Sequence, residues 1–185
     1  MKATNQLFLI KREDISDSVL SQVEQTYIEA FPLNERRDFE LTKLLIANDP
    51  AFNLYTFTQD DVYVGFITTW QFADFLYVEH FAIDNARRSG GIGSKALMLL
   101  IEETALPILL EVELPLDEMA KRRIQFYERL EFKFHNYPYQ QPPYSEGQEW
   151  VELRFMTRNK QNRVLDFDVA KACLYRSVYR VSEDV

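Results

Sequence analysis

Apolar positions change their spacing several times along the chain, and each change marks an element. Leu7 to Lys11 is a short apolar run of strand length. Beyond Ser16, the residues Leu20, Val23, Tyr27 and Ala30 share one helical face, which predicts a helix capped by Ser16 and stopped at Pro32. A second helix is predicted over Arg37 to Ala47, closed by Asn48-Asp49-Pro50. The period then shortens. Ala51 to Gln59 and Val62 to Phe72 are rich in β-branched and aromatic residues and flank the turn signal Asp60-Asp61, which predicts an antiparallel hairpin. A third strand of this group is predicted over Phe75 to Asp84.

The glycine-containing turn Arg87 to Gly93 follows, then a helical stretch with Ile92, Ala96, Leu99 and Leu100 at helical spacing, ended by Pro107. Ile108 to Leu114 reads as a buried strand closed by Pro115. Asp117 caps a predicted helix through Leu130, with Ala120, Ile124 and Tyr127 along one side. Phe132 to Asn136 and Glu149 to Thr157 are the last predicted strands, joined by a long loop, Tyr137 to Gln148. Past Arg158 an extra helix carries Phe167, Ala170, Leu174, Val178 and Val181 on one side. The order β, αα, βββ, α, β, α, ββ, α predicts an α/β fold of the α+β type: a mixed, largely antiparallel central sheet flanked by helices. One domain is expected over residues 1–158. Residues 159–185 form a helical extension packed on that domain or at a dimer interface, so either a monomer or a homodimer is expected.

Composition narrows the function. The 185 residues are 46% hydrophobic and 14% aromatic, which excludes a disordered acidic chain. A net charge of −8 argues against duplex nucleic acid as the main ligand and is compatible with a cationic substrate. One cysteine, Cys173, and two histidines, His80 and His135, leave little for a disulfide or a metal centre, and no metal is expected. No apolar run approaches the roughly 20 residues of a membrane span, and Met1 to Arg12 lacks the pattern of a signal peptide; the expectation is a cytoplasmic protein without membrane contact.

Three of the five glycines stand at positions 90, 91 and 93, directly after a strand and before a helix. Glycine lets the backbone approach a ligand, and the free amides and positive dipole of a helix start attract anionic oxygens. Arg87 and Arg88 add charge there. This is a candidate pyrophosphate cradle; the competing reading is a tight turn whose glycines only relieve strain. The run is not a P-loop, because no Gly-Lys-Ser/Thr ends it. Gly91-Ile92-Gly93-Ser94-Lys95-Ala96 does satisfy the dinucleotide fingerprint, with Glu111 and Glu113 about 20 residues on. An antiparallel meander before the loop argues against that alternative.

Glu79-His80-Phe81-Ala82-Ile83-Asp84, followed by Arg88-Ser89-Gly90-Gly91-Ile92-Gly93, resembles motif A of the GNAT superfamily of acyl-CoA N-acyltransferases. Arg123 to Phe132 resembles the family motif ending in Phe-Tyr-Glu-x-Leu-Gly-Phe, and the two stand in the family's order. Glu131 occupies the usual glycine position, so this helix end is expected to be stopped differently.

The resemblance implies transfer of an acetyl group from acetyl-CoA to a primary amine, here a small and cationic acceptor. An acyl-CoA-binding or regulatory module without robust turnover is the alternative. Arg88 and the amides from Ser89 through Gly90, Gly91, Ile92 and Gly93 to Ser94 would hold the pyrophosphate. The strand edge Phe81-Ala82-Ile83 would pair with the pantetheine arm. Tyr127 is the candidate acid, a phenol that stays protonated at neutral pH. Glu79 is the candidate base, since a carboxylate in an apolar strand needs a cleft or a partner. Glu111 and Glu113, which alternate with apolar neighbours, and Tyr139 and Tyr144 are expected to line the acceptor side, the two tyrosines offering ring faces to a cation from a proline-stiffened loop.

Overall fold

The computed structural model describes residues 6–88, 90–161 and 163–181. Seven strands, β1 (Leu7–Lys11), β2 (Phe52–Gln59), β3 (Val62–Gln71), β4 (Leu76–Ile83), β5 (Ile108–Glu113), β6 (Lys133–Gln141) and β7 (Val151–Arg158), form one mixed sheet in the order β1-β2-β3-β4-β5-β7-β6. The β1–β2, β2–β3, β5–β7 and β6–β7 pairs are antiparallel. The flanking helices are α1 (Asp17–Ala30), α2 (Phe39–Asn48), α3 (Ile92–Glu103), α4 (Glu118–Glu128) and α5 (Phe167–Cys173). The expected fold class and element order are what the chain adopts.

The chain divides into two compact units, one of residues 1–32, 38–71 and 78–104, the other of residues 33–37, 72–77 and 105–185. In the first, Ser16 caps α1 by accepting from the Val19 amide, and Asp60 and Asp61 take φ of 50° and 61° to close the β2–β3 hairpin. Helix α2 starts at Phe39 rather than Arg37, because the Asp38 side chain accepts from the Glu40 amide. Val23 and Tyr27 of α1, Phe39 of α2 and Leu54, Phe66 and Ala82 of the strands form one core cluster. The register slips between Phe57 and Thr58, where Gly65 and Tyr63 are successive partners and Val64 is the extra residue of a bulge. A Cβ on Gly65 would stand 2.5 Å from the Ala82 carbonyl oxygen, so only glycine permits β3 this close to the end of β4. The Val64 carbonyl then accepts from the Asp84 amide, which fixes where β4 hands over to the glycine loop.

In α3 the buried positions are Ile92, Ala96, Leu97, Leu100 and Ile101. Leu99, one of the residues at helical spacing, lines a groove of about 360 Å³ with Leu7, Ser94 and Met98. The helix ends at Glu103, ahead of Pro107.

In the second unit Asp117 caps α4, accepting from both Met119 and Ala120 amides. The largest departure from expectation is β6, which runs through Pro138 to Gln141 instead of ending at Asn136. Its pairing with β7 shifts between His135 and Tyr139, and that irregularity accommodates a proline that a regular ladder would reject. The connecting loop shrinks to residues 142–150. Helix α5 passes directly into a π-helical turn, Leu174–Tyr179, in which Tyr175 and Tyr179 are buried beside Leu174 and Val178. The Phe167 ring meets Phe155 of β7 and His135 of β6, so this segment packs on the strands of its own unit.

Candidate functional site

The loop after β4 is organised by its own side chains. Asp84 Oδ1 accepts from the Ala86 amide at 2.8 Å and its carbonyl from the Arg87 amide at 2.8 Å, closing a short helical turn over Asn85–Arg87. Arg88 Nε donates to the Ile83 carbonyl at 3.0 Å, which ties the guanidinium to the end of the strand. Gly90 and Gly91 then take φ of 63° and 73°, and Gly91 caps α3 with no side-chain acceptor. The first-turn amides of Ile92, Gly93 and Ser94 are the donors that such a cap leaves open. Ile92 itself is buried and anchors the loop from beneath. Ser89 lies outside the described residues. The other loop positions expected to hold an anion therefore stand together at one helix start, which fits a pyrophosphate: open amides, an adjacent guanidinium, and no atom within 4 Å of where a Cβ would stand on Gly90 or Gly91.

Phe81, Ala82 and Ile83 are the last three residues of β4 and lead into this loop. Two residues earlier, the Glu79 side chain is fully buried, and its Oε2 accepts from Trp70 Nε1 at 3.0 Å. Simple strand alternation puts Glu79 and His80 on opposite faces, yet His80 Nδ1 lies 3.6 Å from Glu79 Oε2. The pleat departs from regularity here, since the His80 amide donates to Thr68 Oγ1 at 3.2 Å. The His80 ring is boxed edge-on by Tyr27 and Phe31, at 4.9 and 4.7 Å between centroids.

In the second unit Tyr127 sits on the last turn of α4, its ring edge-on to Phe126 and Phe132 at 5.1 and 5.6 Å. Burial pushes its phenol up to about 12; the Glu113 carboxylate adds to this, and the Arg123 guanidinium opposes it. Glu113 pairs with Arg123, so the structure brings Tyr127 and Glu113 into one electrostatic group. Tyr139 lies on β6 rather than in a loop, only 2% exposed, with its ring 4.4 Å from that of Phe155. Tyr144 is in the loop as expected. A cation does stand over its ring, the chain's own Arg37 at 4.9 Å, and Tyr179 packs against it at 5.2 Å.

The helix after Tyr127 ends on Glu131 at φ 65°, with the Glu131 amide donating to the Glu128 carbonyl and the Phe132 amide to the Tyr127 carbonyl. This is a Schellman motif built on glutamate. The expectation of a different stop is corrected: the backbone follows the left-handed path, and Arg158 Nη2 holds the Glu131 carboxylate at 2.6 Å. Glu111, which the sequence marks with Glu113 as a carboxylate for the acceptor side, has partners that sequence reasoning missed. Glu111 Oε2 accepts from Tyr77 and Tyr179 hydroxyls at 2.9 and 3.0 Å, and these partners lie 34 and 68 residues away. The only local signal is a carboxylate alternating with apolar residues in β5.

The Acetyltransferase (GNAT) family model matches residues 19–132, more than half of the chain. Among solved structures, a GNAT-family protein from Bacteroides thetaiotaomicron is 36% identical, with a TM-score of 0.86 over 96% of this chain and 99% of that one. Arabidopsis thaliana Naa50, solved with the bisubstrate analogue CoA-Ac-MVNAL, is 18% identical, with a TM-score of 0.60 over 83% and 98%. An aminoglycoside 6'-N-acetyltransferase complexed with coenzyme A is 16% identical, with a TM-score of 0.63 over 85% and 99%. A search of curated proteins gave no match.

Proposed function

The chain belongs to the GNAT acetyltransferase family, and on that premise we propose that it transfers an acetyl group from acetyl-CoA to a primary amine by direct attack in a ternary complex. The observation that carries this reading is the start of α3, where a left-handed Gly91 caps the helix without a side-chain acceptor. Open amides there, with Arg88 tied to the end of β4, suit a pyrophosphate. The main chain of Phe81, Ala82 and Ile83 would pair with the amides of the pantetheine arm. Acetyl-CoA, when bound, supplies the thioester and hence the activated acetyl group.

The remaining work falls to side chains. An ammonium cannot attack, so the acceptor must lose a proton, and the leaving thiolate must gain one. In this reading Tyr127 donates from its hydroxyl. Its phenol, raised to about 12, is fully protonated at neutral pH and so always holds the proton it gives. Glu79, held in one orientation by Trp70, takes the amine proton directly or through a water. A small cationic amine is the expected acceptor, in line with the net charge of −8.

Tyr127→Phe keeps the ring and its packing but removes the proton. Turnover with a competent amine should fall by about 100-fold or more, while calorimetric titration gives an unchanged acetyl-CoA Kd. Unchanged turnover removes Tyr127 from the chemistry. Failure of the parent protein to bind acetyl-CoA overturns the function itself.

A further inference from the structure

On α2 and α4 an acid and a lysine three residues apart close into ion pairs: Lys43 Nζ stands 2.8 Å from Glu40, and Lys121 Nζ 2.9 Å from Glu118. On α5, Asp168 and Lys171 have the same spacing but hold other partners. The aspartate arm is one methylene shorter, and aromatic neighbours engage both ends. The Tyr137 hydroxyl donates to Asp168 Oδ1, while Lys171 Nζ lies over the Tyr175 ring, 5.2 Å from its centroid. A carboxylate, an ammonium and a ring therefore follow one another along this segment, at positions 168, 171 and 175, and all three line a cleft of about 590 Å³. That size suits a small molecule. The Tyr175 ring is fixed by its hydroxyl, which donates to the Gln140 carbonyl at 2.6 Å, and the Trp150 ring stands edge-on to it at 5.7 Å between centroids. Glu152, the other charged group of the lining, is paired with Arg154 at 2.9 Å. Every lining residue belongs to the second compact unit, so the cleft is complete within it.

We propose that this cleft binds a free α-amino acid with an aromatic side chain. Its ammonium meets Asp168, its carboxylate meets Lys171, and its ring packs against Trp150 and Tyr175. Opposite charges one helical turn apart discriminate against an ion of either sign, because whatever one attracts the other repels. A ligand bearing both signs on one carbon satisfies both, and the rings beside them reward an aromatic side chain. Asp168, Lys171 and Trp150 take no part in the proposed acetyl transfer, so the two readings stand or fall separately.

The test is calorimetric titration of the full chain with L-phenylalanine, phenethylamine, which lacks the carboxylate, and hydrocinnamate, which lacks the ammonium. L-phenylalanine should bind about fivefold more tightly than either, one partly exposed ion pair's worth of discrimination. It should also change the emission of Trp150, a change lost in Trp150→Phe. Lys171→Met should bring phenylalanine and phenethylamine to equal affinity, and Asp168→Asn should do the same for phenylalanine and hydrocinnamate. Melting curves check that these variants fold, and the comparison of three ligands on the parent chain needs no variant. The proposal is overturned by absence of phenylalanine binding at about 10 mM, or by equal affinity for the three ligands. An emission change that persists in Trp150→Phe, or a preference unaltered in Lys171→Met or Asp168→Asn, overturns it as well.

Discussion

Two helix ends in this chain need left-handed backbone, and they obtain it in opposite ways. At the start of α3, Gly90 and Gly91 take φ of 63° and 73°, and the space beside them is empty. At the end of α4, Glu131 takes φ 65° with a full side chain. A non-glycine residue in that region costs about 1–2 kcal/mol. At α4 the cost is offset, because the buried Arg158 donates to the Leu130 carbonyl at 2.9 Å and to the Glu131 carboxylate at 2.6 Å. Nothing lies within 4 Å to offset a side chain at Gly91, and in the proposed cradle one placed there would crowd the anion. Backbone strain can thus be balanced by a contact. Empty space in front of open amides can only be kept by leaving the side chain out.

The largest test of this contrast is Gly91→Val. Loss of two charge-assisted hydrogen bonds should weaken acetyl-CoA about 100-fold in a calorimetric titration; retained affinity would make the glycines mere strain relief. Next is Arg158→Ala, which leaves Glu131 strained and the Leu130 carbonyl unserved. Urea unfolding should show a loss of about 2–3 kcal/mol, and a change below 0.5 kcal/mol would deny the compensation. An effect of similar or smaller size comes with alkali, because the phenol of Tyr127, at the α4 end, is buried in the fold. Its phenol ionises near 10 when unfolded and about 12 when folded. Its stabilisation is therefore full below pH 10 and is lost as pH rises toward 12, at about 1.4 kcal/mol per pH unit. Denaturation curves of the parent and Tyr127→Phe should diverge there and nowhere lower. The smallest effect belongs to Glu131→Gly, where relief of strain and loss of the Arg158 pair should nearly cancel, within about 1 kcal/mol.

Legibility followed the range of the interactions. Ser16, Asp117 and Asp60-Asp61 act on amides or dihedrals within three residues, so their helices and hairpin could be read directly. The glycine loop was legible for the same reason. Tyr139 was misplaced into a loop because Pro138 looks like a strand breaker until the irregular β6–β7 register makes room for it. Helical periodicity marks Ile92, Ala96, Leu99 and Leu100, while the burial of Leu97 rather than Leu99 depends on what packs against the helix. Ala170, Leu174 and Val178 of the C-terminal face follow the helical pattern, whereas the burial of Tyr175 and Tyr179 comes with a π turn that the pattern does not anticipate.

The sequence by itself determined the element order, the caps, and a helix start whose glycines leave amides open, since these depend on neighbours along the chain. Tertiary structure alone decided how each candidate carboxylate is held. Glu79 meets Trp70, Glu113 meets Arg123, and Glu111 meets two tyrosines from distant segments. A carboxylate in a strand looks the same in every sequence; its chemistry is set by donors and charges that only folding brings within about 3 Å.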